Sequence, residues 1–202
     1  MPEHTVILNL AVDHHSVNET AEMFNKLIKN TTGKIILNSD DNNIKLLKYG
    51  NAVHFSIDSR SKYKAENIIY KPFDTEFYLS GTSFKLSIPG KYNLYNALAC
   101  IVMLYETGIP LKDISGILHE FTGIERRFDV HLNDGKRLVI DDYAHNPHKI
   151  TSAMQAVQKT TDSVCYIFQP HGFGPTRMMK NEYIEAFSQN LRYKDLLLLL
   201  PI

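Results

Sequence analysis

Arg137-Leu138-Val139-Ile140-Asp141-Asp142-Tyr143-Ala144-His145-Asn146-Pro147 decides the fold class. An apolar run, Arg137–Asp141, stops at paired aspartates, and Pro147 opens a segment that reads as a helix to Lys159. Proline suits the first turn of a helix, where its missing N–H has no partner to lose. A strand that hands over directly to a helix is the unit of a parallel α/β sheet. Ligands of such sheets bind outside the carboxyl ends of the strands. Asp142 can there accept from ribose hydroxyls, and His145 can donate to phosphate or hold a carboxylate. A helix cap with a surface histidine beside it explains the same residues equally well.

The alternation continues on both sides. Upstream, Phe128–Leu132 and Arg137–Asp141 flank Asn133-Asp134-Gly135, a hairpin signal. Downstream come a strand (Ser163–Gln169), a helix (about Thr176–Leu191) and a strand (Asp195–Pro201), a parallel βαβαβ unit. The apolar Leu196–Leu200 reads as a buried strand. Phe168 to Arg177 leaves a strand and opens a helix through two glycines and two prolines. His171, Thr176 and Arg177 on that loop suit an anion such as an amino-acid carboxylate or a phosphate.

The N-terminal half is also α/β. Thr5–Val12, Lys34–Asn38 and Ala52–Ile57 read as strands, with a short helix over Asp40–Lys48. Ser16 and Glu19 have capping-box spacing, the next helix shows Ala21, Phe24, Leu27 and Ile28 on one face, and Gly33 ends it. Between 58 and 89 the pattern changes to short antiparallel strands: Ile68–Tyr70, Phe77–Leu79 and Phe84–Ile88, with a turn at Ser80-Gly81-Thr82. A long helix, Tyr92–Thr107, follows with Leu94, Leu98, Ile101, Val102 and Tyr105 as its buried stripe; Gly108 ends it. A second helix, Leu111–Phe121, is expected to pack on it as a hairpin. A domain boundary near Gly123 divides the chain into 1–124 and 125–202.

Other polar groups sit at element ends. Asn93 and Asn96 share a face at a helix start and can read an adenine edge, although the residues by themselves favour the plainer reading that Asn93 caps the helix. Gly90-Lys91 is no phosphate loop, since Tyr92 stands where Ser or Thr is required. Arg126-Arg127 follows the boundary, where an arginine can reach a phosphate, although paired arginines are usually just solvated. Asp13-His14-His15 ends the first strand and offers a carboxylate and imidazoles to Mg²⁺ or a phosphate oxygen, although Mg²⁺ prefers oxygen ligands and a plain polar loop explains the same residues as well.

The 202 residues balance 22 basic against 22 acidic side chains, which gives no electrostatic case for nucleic acid or an anionic membrane. No apolar run approaches the ~20 residues of a membrane span, and Met1–Leu10 lacks the basic and apolar regions of a secretion signal. Cys100 and Cys165 sit in apolar runs and read as buried thiols of a reducing compartment, which makes the cytoplasm the expected location. The chain starts almost in a strand and stops inside another, so it is expected to be part of a longer protein.

In order along the chain, these motifs resemble those of the Mur ligase family. Asn9 to His14 is similar to its central-domain segment with an Asp-His pair, and Gly90 to Asn96 to its Gly-x-His-Asn-x-x-Asn helix start, with Tyr92 for histidine. Arg127 matches its Arg-Arg-Phe hinge and Asp142–Pro147 its Asp-Tyr-x-His-x-Pro loop. Phe168-Gln169-Pro170-His171 with Thr176-Arg177 is most similar to the branches that add L-alanine or a preformed peptide. Asn146 replaces a histidine common in the alanine-adding branch, and no Gly-x-x-Gly-Lys-Thr-Thr loop occurs.

The resemblance implies a partial ATP-binding central domain, then a partial Rossmann-like C-terminal domain. It implies ATP and Mg²⁺ as cofactors, and UDP-N-acetylmuramate with an amino acid or peptide as partners. The reaction would pass through an acyl phosphate. Asn93 and Asn96 would hold adenine, Arg127 an ATP phosphate, Asp142 and His145 the ribose or phosphates, and His14 a metal. His171, Thr176 and Arg177 would face the amino-acid substrate, with Arg127, His145 and His171 as the catalytic set. Two alternatives stay open. One is a folylpolyglutamate- or cyanophycin-type amide ligase, against which Phe168–His171 argues. The other is a nucleotide-binding module without catalysis.

Overall fold

The computed structural model describes residues 1–12 and 15–202. The chain is α/β and forms two compact units. The first comprises Met1–Tyr70, Thr75–Ser87 and Tyr92–Phe121; the second comprises Lys71–Asp74, Ile88–Lys91 and Thr122–Ile202.

The first unit begins with the expected parallel strands, β1 (Thr5–Ile7), β2 (Ile35–Asn38) and β3 (Val53–Ser56). β1 is shorter than Thr5–Val12 because Leu10 leaves the ladder. Its N–H goes to the Asp41 carboxylate at 3.0 Å, and its carbonyl takes the Asn43 amide at 2.9 Å. The helix α1 (Val17–Lys29) has the capping box in both directions, at Ser16 and Glu19. Ala21 and Ile28 are buried and Phe24 packs on the same core, but Leu27 is 37% exposed. α1 stops before Gly33, which has another task. A Cβ at Gly33 would lie 2.6 Å from the Glu3 carbonyl oxygen, so only glycine lets the chain pass there. The helix expected over Asp40–Lys48 closes only as a 3-10 turn, Asn42–Leu46. The Asp41 carboxylate takes the Asn43 N–H at 2.7 Å and Leu47 is already extended, so too few residues remain for an α-helical nucleus.

β4 (Tyr63–Tyr70) is longer than expected and changes the sheet. It pairs parallel to β3 and then antiparallel to β5 (Thr75–Leu79), with a register break between Glu66 and Ile69 where Asn67 takes φ 50°. β6 (Thr82–Leu86) completes one six-stranded sheet in sequence order. Ser80 and Gly81 have φ 48° and 78°, the signs a tight two-residue hairpin turn needs. Phe77 and Phe84 are cross-strand partners, stacked at 5.3 Å.

The helix α2 (Lys91–Glu106) buries Leu94, Leu98, Ile101 and Val102 as expected, while Tyr105 stays 40% exposed with its ring edge-on to Tyr63. The helix α3 (Leu111–Leu118) packs chiefly on β6, not on α2 as a hairpin. Ser115 Oγ donates to the Ser83 carbonyl at 2.6 Å.

The second unit holds an antiparallel hairpin, β7 (Asp129–Asn133) and β8 (Leu138–Asp141). Its turn is held by Asp134, which accepts the N–H groups of Lys136 and Arg137 at 2.9 and 2.6 Å. Then come α4 (Pro147–Val157), β9 (Cys165–Phe168), α5 (Phe173–Met178), α6 (Lys180–Asn190) and β10 (Leu196–Leu199). The helix expected over Thr176–Leu191 is two helices, divided at buried Met179 with φ −101° and ψ 22°. β9 and β10 are parallel, as expected. Among the described strands, however, β8 pairs with β7 and does not extend the β9/β10 sheet.

Leu196–Leu200 is not buried: Leu196, Leu198, Leu199 and Leu200 are exposed. Leu197 alone turns into the core of Ile150, Met154, Met179, Tyr183 and Phe187. Cys100 and Cys165 are exposed too, against expectation, because Cys165 and Ile167 alternate onto the open face of β9 and Cys100 lies on the outer side of α2. Among the described residues no helix is long and apolar enough to cross a membrane.

Glu106 closes α2 and ties three segments together. It accepts from Lys34 Nζ at 2.9 Å, Lys62 Nζ at 2.7 Å and Tyr63 Oη at 2.7 Å. The hydrogen bonds from Lys62, Tyr63 and Lys34 hold its carboxyl at about 2, below the ordinary 4.5. Its folded value lies below its unfolded one, so its stabilisation is complete above about pH 4.5 and disappears as pH falls through about 2. Glu106→Gln should lower the urea midpoint at neutral pH, and the gap to the parent should narrow across that acidic window. A gap independent of pH would show that the charge at Glu106 contributes nothing.

Candidate functional site

In the second unit, the segment before β7 and the loop after β8 are sewn together. Phe128 N–H donates to Asp142 Oδ2 at 2.9 Å, and Tyr143 N–H donates to the Arg126 carbonyl at 2.8 Å. Arg126 Nε donates to Asp141 Oδ2 at 3.1 Å, and its guanidinium lies 4.8 Å above the centre of the Tyr143 ring. Arg126 and Phe128 have φ 58° and 53°, a left-handed conformation that costs a non-glycine residue about 1 kcal/mol. The burial of Phe128 and its bond to Asp142 hold that turn. Of the two arginines, Arg126 is therefore engaged. Arg127 is exposed, and among the described residues its guanidinium makes no ion pair.

The turn into α4 carries the cap that its sequence offers. Asn146 is 5% exposed and caps α4, with Oδ1 accepting Lys149 N–H at 2.9 Å, and Pro147 takes the first helical position. His145 is not a loose surface group. Its Nδ1 lies 2.9 Å from the Tyr143 carbonyl, its Nε2 lies 3.3 Å from Lys149 Nζ, and its own carbonyl accepts from Tyr183 Oη at 2.6 Å.

The loop after β9 brings His171 to the same place. The His171 ring meets the Tyr143 ring edge-on at 6.1 Å, and the Tyr143 and His145 rings are 5.1 Å apart. Thr176 Oγ1 donates to the Gly172 carbonyl at 2.7 Å, so that hydroxyl is used within its own turn. Arg177 is exposed in the last turn of α5. The structure thus gathers His145 and His171 around Tyr143, ties Asp142 to Phe128 N–H, and leaves Arg127 and Arg177 open to solvent.

In the first unit, Asn93 is 4% exposed in the first turn of α2 and Asn96 is exposed one turn on. Between them Tyr95 Oη donates to Asp40 Oδ2 at 2.9 Å. Asp40 also accepts the N–H groups of Ile57, Asp58 and Ser59 at 2.6, 3.1 and 2.6 Å. Burial disfavours the Asp40 charge, but the bonds from Ile57, Ser59 and Asp58 outweigh it and hold the carboxyl at about 2. Burial beside this carboxylate pushes the Tyr95 hydroxyl well above its usual range. The sequence reading missed Asp40, Tyr95 and Lys149. An Asp-Asp pair directly after a strand was the available signal for the first. His14, expected to serve a metal, lies with Asp13 outside the described residues. Among the described residues no group of three or more His, Cys, Asp or Glu side chains converges as a metal ion requires.

Residues 1–104, more than half of the chain, match the Mur ligase middle domain. The chain belongs to the Mur ligase family. This Mur ligase chain is 33% identical to the UDP-N-acetylmuramate–L-alanine ligase of Francisella philomiragia, over 99% of its own length and 48% of that protein's. The chain therefore spans about half the length of the curated relatives it matches. Its fold is that of the UDP-N-acetylmuramate-alanine ligase of Thermotoga maritima, with a TM-score of 0.73 at 22% identity, covering 100% of this chain and 51% of that one. It is also similar to the MurF ligase of Thermotoga maritima, solved in complex with ADP, with a TM-score of 0.71 at 15% identity, covering 98% and 58%.

Asn146→Ala should remove the α4 cap and lower unfolding stability by about 1 kcal/mol in urea titration. Asn146→Ser, which retains a capping oxygen, should recover most of it. Equal stability of the alanine variant would show that Pro147 alone sets the start of α4.

Proposed function

We propose that this chain is part of an ATP-dependent ligase that joins UDP-N-acetylmuramate to L-alanine, or to a peptide, in the making of peptidoglycan precursors. The observation that carries the proposal is the set of loops after β8 and β9. They bring His145 and His171 at strand ends to the ring of Tyr143, which directly follows Asp142, in a chain 33% identical to a UDP-N-acetylmuramate–L-alanine ligase. The ADP complex of a ligase with this fold supports a nucleotide as the cofactor.

In this proposal the muramate carboxylate attacks the γ-phosphorus of ATP and ADP leaves, giving an acyl phosphate. The amino group of alanine then attacks the acyl carbon, phosphate leaves, and the amide remains. Such a transfer needs alignment and charge stabilisation more than covalent help. Asn93 and Asn96 take the adenine edge. Asp142, fixed by Phe128 N–H, meets a ribose hydroxyl. Exposed Arg127 meets phosphate, and His171, Thr176 and Arg177 face the amino acid. Mg²⁺ would accompany the nucleotide and screen its phosphates. The balanced charge offers no nucleic-acid or membrane partner.

The absence of a Gly-x-x-Gly-Lys-Thr-Thr sequence favours a second reading for the isolated chain, a nucleotide-binding module that does not turn over. Calorimetric titration of the 202-residue chain with ADP should show binding. Asp142→Asn keeps an acceptor for Phe128 N–H but loses the charge, and should weaken that binding several-fold with little change in thermal midpoint. Unaltered affinity would remove Asp142 from the site. Mixed with ATP, UDP-N-acetylmuramate and L-alanine, the same chain should release no phosphate. Alanine-dependent release would overturn the non-catalytic reading.

A further inference from the structure

The imidazole of His145 is more constrained than a histidine on a helix-opening turn needs to be. A carbonyl oxygen only accepts, so the 2.9 Å contact between Nδ1 and the Tyr143 carbonyl places the ring proton on Nδ1. Neutral His145 then has Nε2 as a bare acceptor, and Lys149 Nζ donates to it at 3.3 Å. The ring cannot also rotate to offer a donor outward without giving up the Tyr143 carbonyl. The carbonyl of His145 takes the Tyr183 hydroxyl at 2.6 Å, which fixes the backbone on which the ring turns. Lys149 is fixed at its other end, because its N–H is held by the capping Asn146.

An ammonium has three donors and His145 uses one. The other two N–H bonds of Lys149 remain on a side chain already directed to the Asp142–His145 turn. A lysine held in this way loses less rotamer freedom on meeting an anion than an unrestrained one. An imidazole whose Nδ1 proton goes to the Tyr143 carbonyl and whose Nε2 is occupied by Lys149 has no donor left for a phosphate.

We infer that Lys149 is the phosphate-contacting cation of this loop, and that His145 is a positioning residue holding the ammonium in place. This rests on the nucleotide-binding reading above for the identity of the ligand, a nucleotide whose phosphate oxygens meet Lys149. The pairing of Lys149 with His145 does not depend on that reading. The sequence reading gave the phosphate to His145 itself; here the imidazole acts through its neighbour.

The test uses the 202-residue chain with three variants, Lys149→Met, Lys149→Arg and His145→Gln. Ring ¹⁵N spectra should show His145 protonated on Nδ1 in the parent, and the Nε2 signal should move in Lys149→Met. Calorimetry should show Lys149→Met binding ADP about tenfold more weakly, the scale of one charge-assisted hydrogen bond. Adenosine, which has no phosphate, should bind parent and variant alike. Lys149→Arg should recover most of the ADP affinity, and His145→Gln should lose part of it. Equal ADP affinity in Lys149→Met, or an equal loss for adenosine, overturns the inference. If the parent binds neither ADP nor adenosine, the nucleotide reading fails. Inorganic pyrophosphate then decides the inference alone: titration should move the His145 Nε2 signal in the parent and not in Lys149→Met, and no movement in the parent overturns it.

Discussion

One carboxylate sets the geometry of the carboxyl edge of the parallel strands. Asp40 follows β2 and collects three backbone N–H groups from the loop after β3, together with the Tyr95 hydroxyl of α2. Loop N–H groups without partners would be costly in a half-buried position. Here a single anion satisfies three, and the helix is attached through a fourth bond. Asp41 does the same on the other side, taking the N–H of Leu10 after β1. The ends of three strands and the start of α2 are therefore organised by side chains, not by ladder bonds. This is the edge at which a parallel sheet offers ligand sites, and it also fixes the turn of α2 that carries Asn93 and Asn96.

The second unit solves a similar problem with strain. Its Arg126–Phe128 segment adopts left-handed conformations at two residues that gain nothing from them locally. The compensation is the bond from Phe128 to Asp142 and the reciprocal one from Tyr143 to Arg126. Asp142 thereby has a structural partner on one oxygen before any ligand arrives. That bond fixes the direction of the carboxylate on the turn.

The α/β class, the capping box of α1, the buried stripe of α2 and the β5–β6 turn were legible because each is written in local pattern. Where the pattern misleads, a side chain takes over the backbone groups. Leu10 was lost from β1 to an aspartate 31 residues away, and the short helix after β2 gave way to side-chain caps. The exposure of Leu196–Leu200 could not be foreseen from an apolar run, since periodicity does not say how many neighbours a strand has. For the site, the motif residues themselves were legible. Their roles were less so: which of two arginines is tethered, that Thr176 spends its hydroxyl on Gly172, and that Lys149 stands against His145 are facts of side-chain direction.

The two exposed cysteines have a use that their burial would have denied. Cys100 belongs to the first unit and Cys165 to the second, so each carries a single native thiol. Burial pushes the Cys100 thiol up in pKa, which lowers its thiolate fraction at neutral pH, and Cys165 projects from the open face of β9. Sequential attachment of two spectroscopic labels then reports the distance between the units in solution, and its change with nucleotide, on the unaltered sequence.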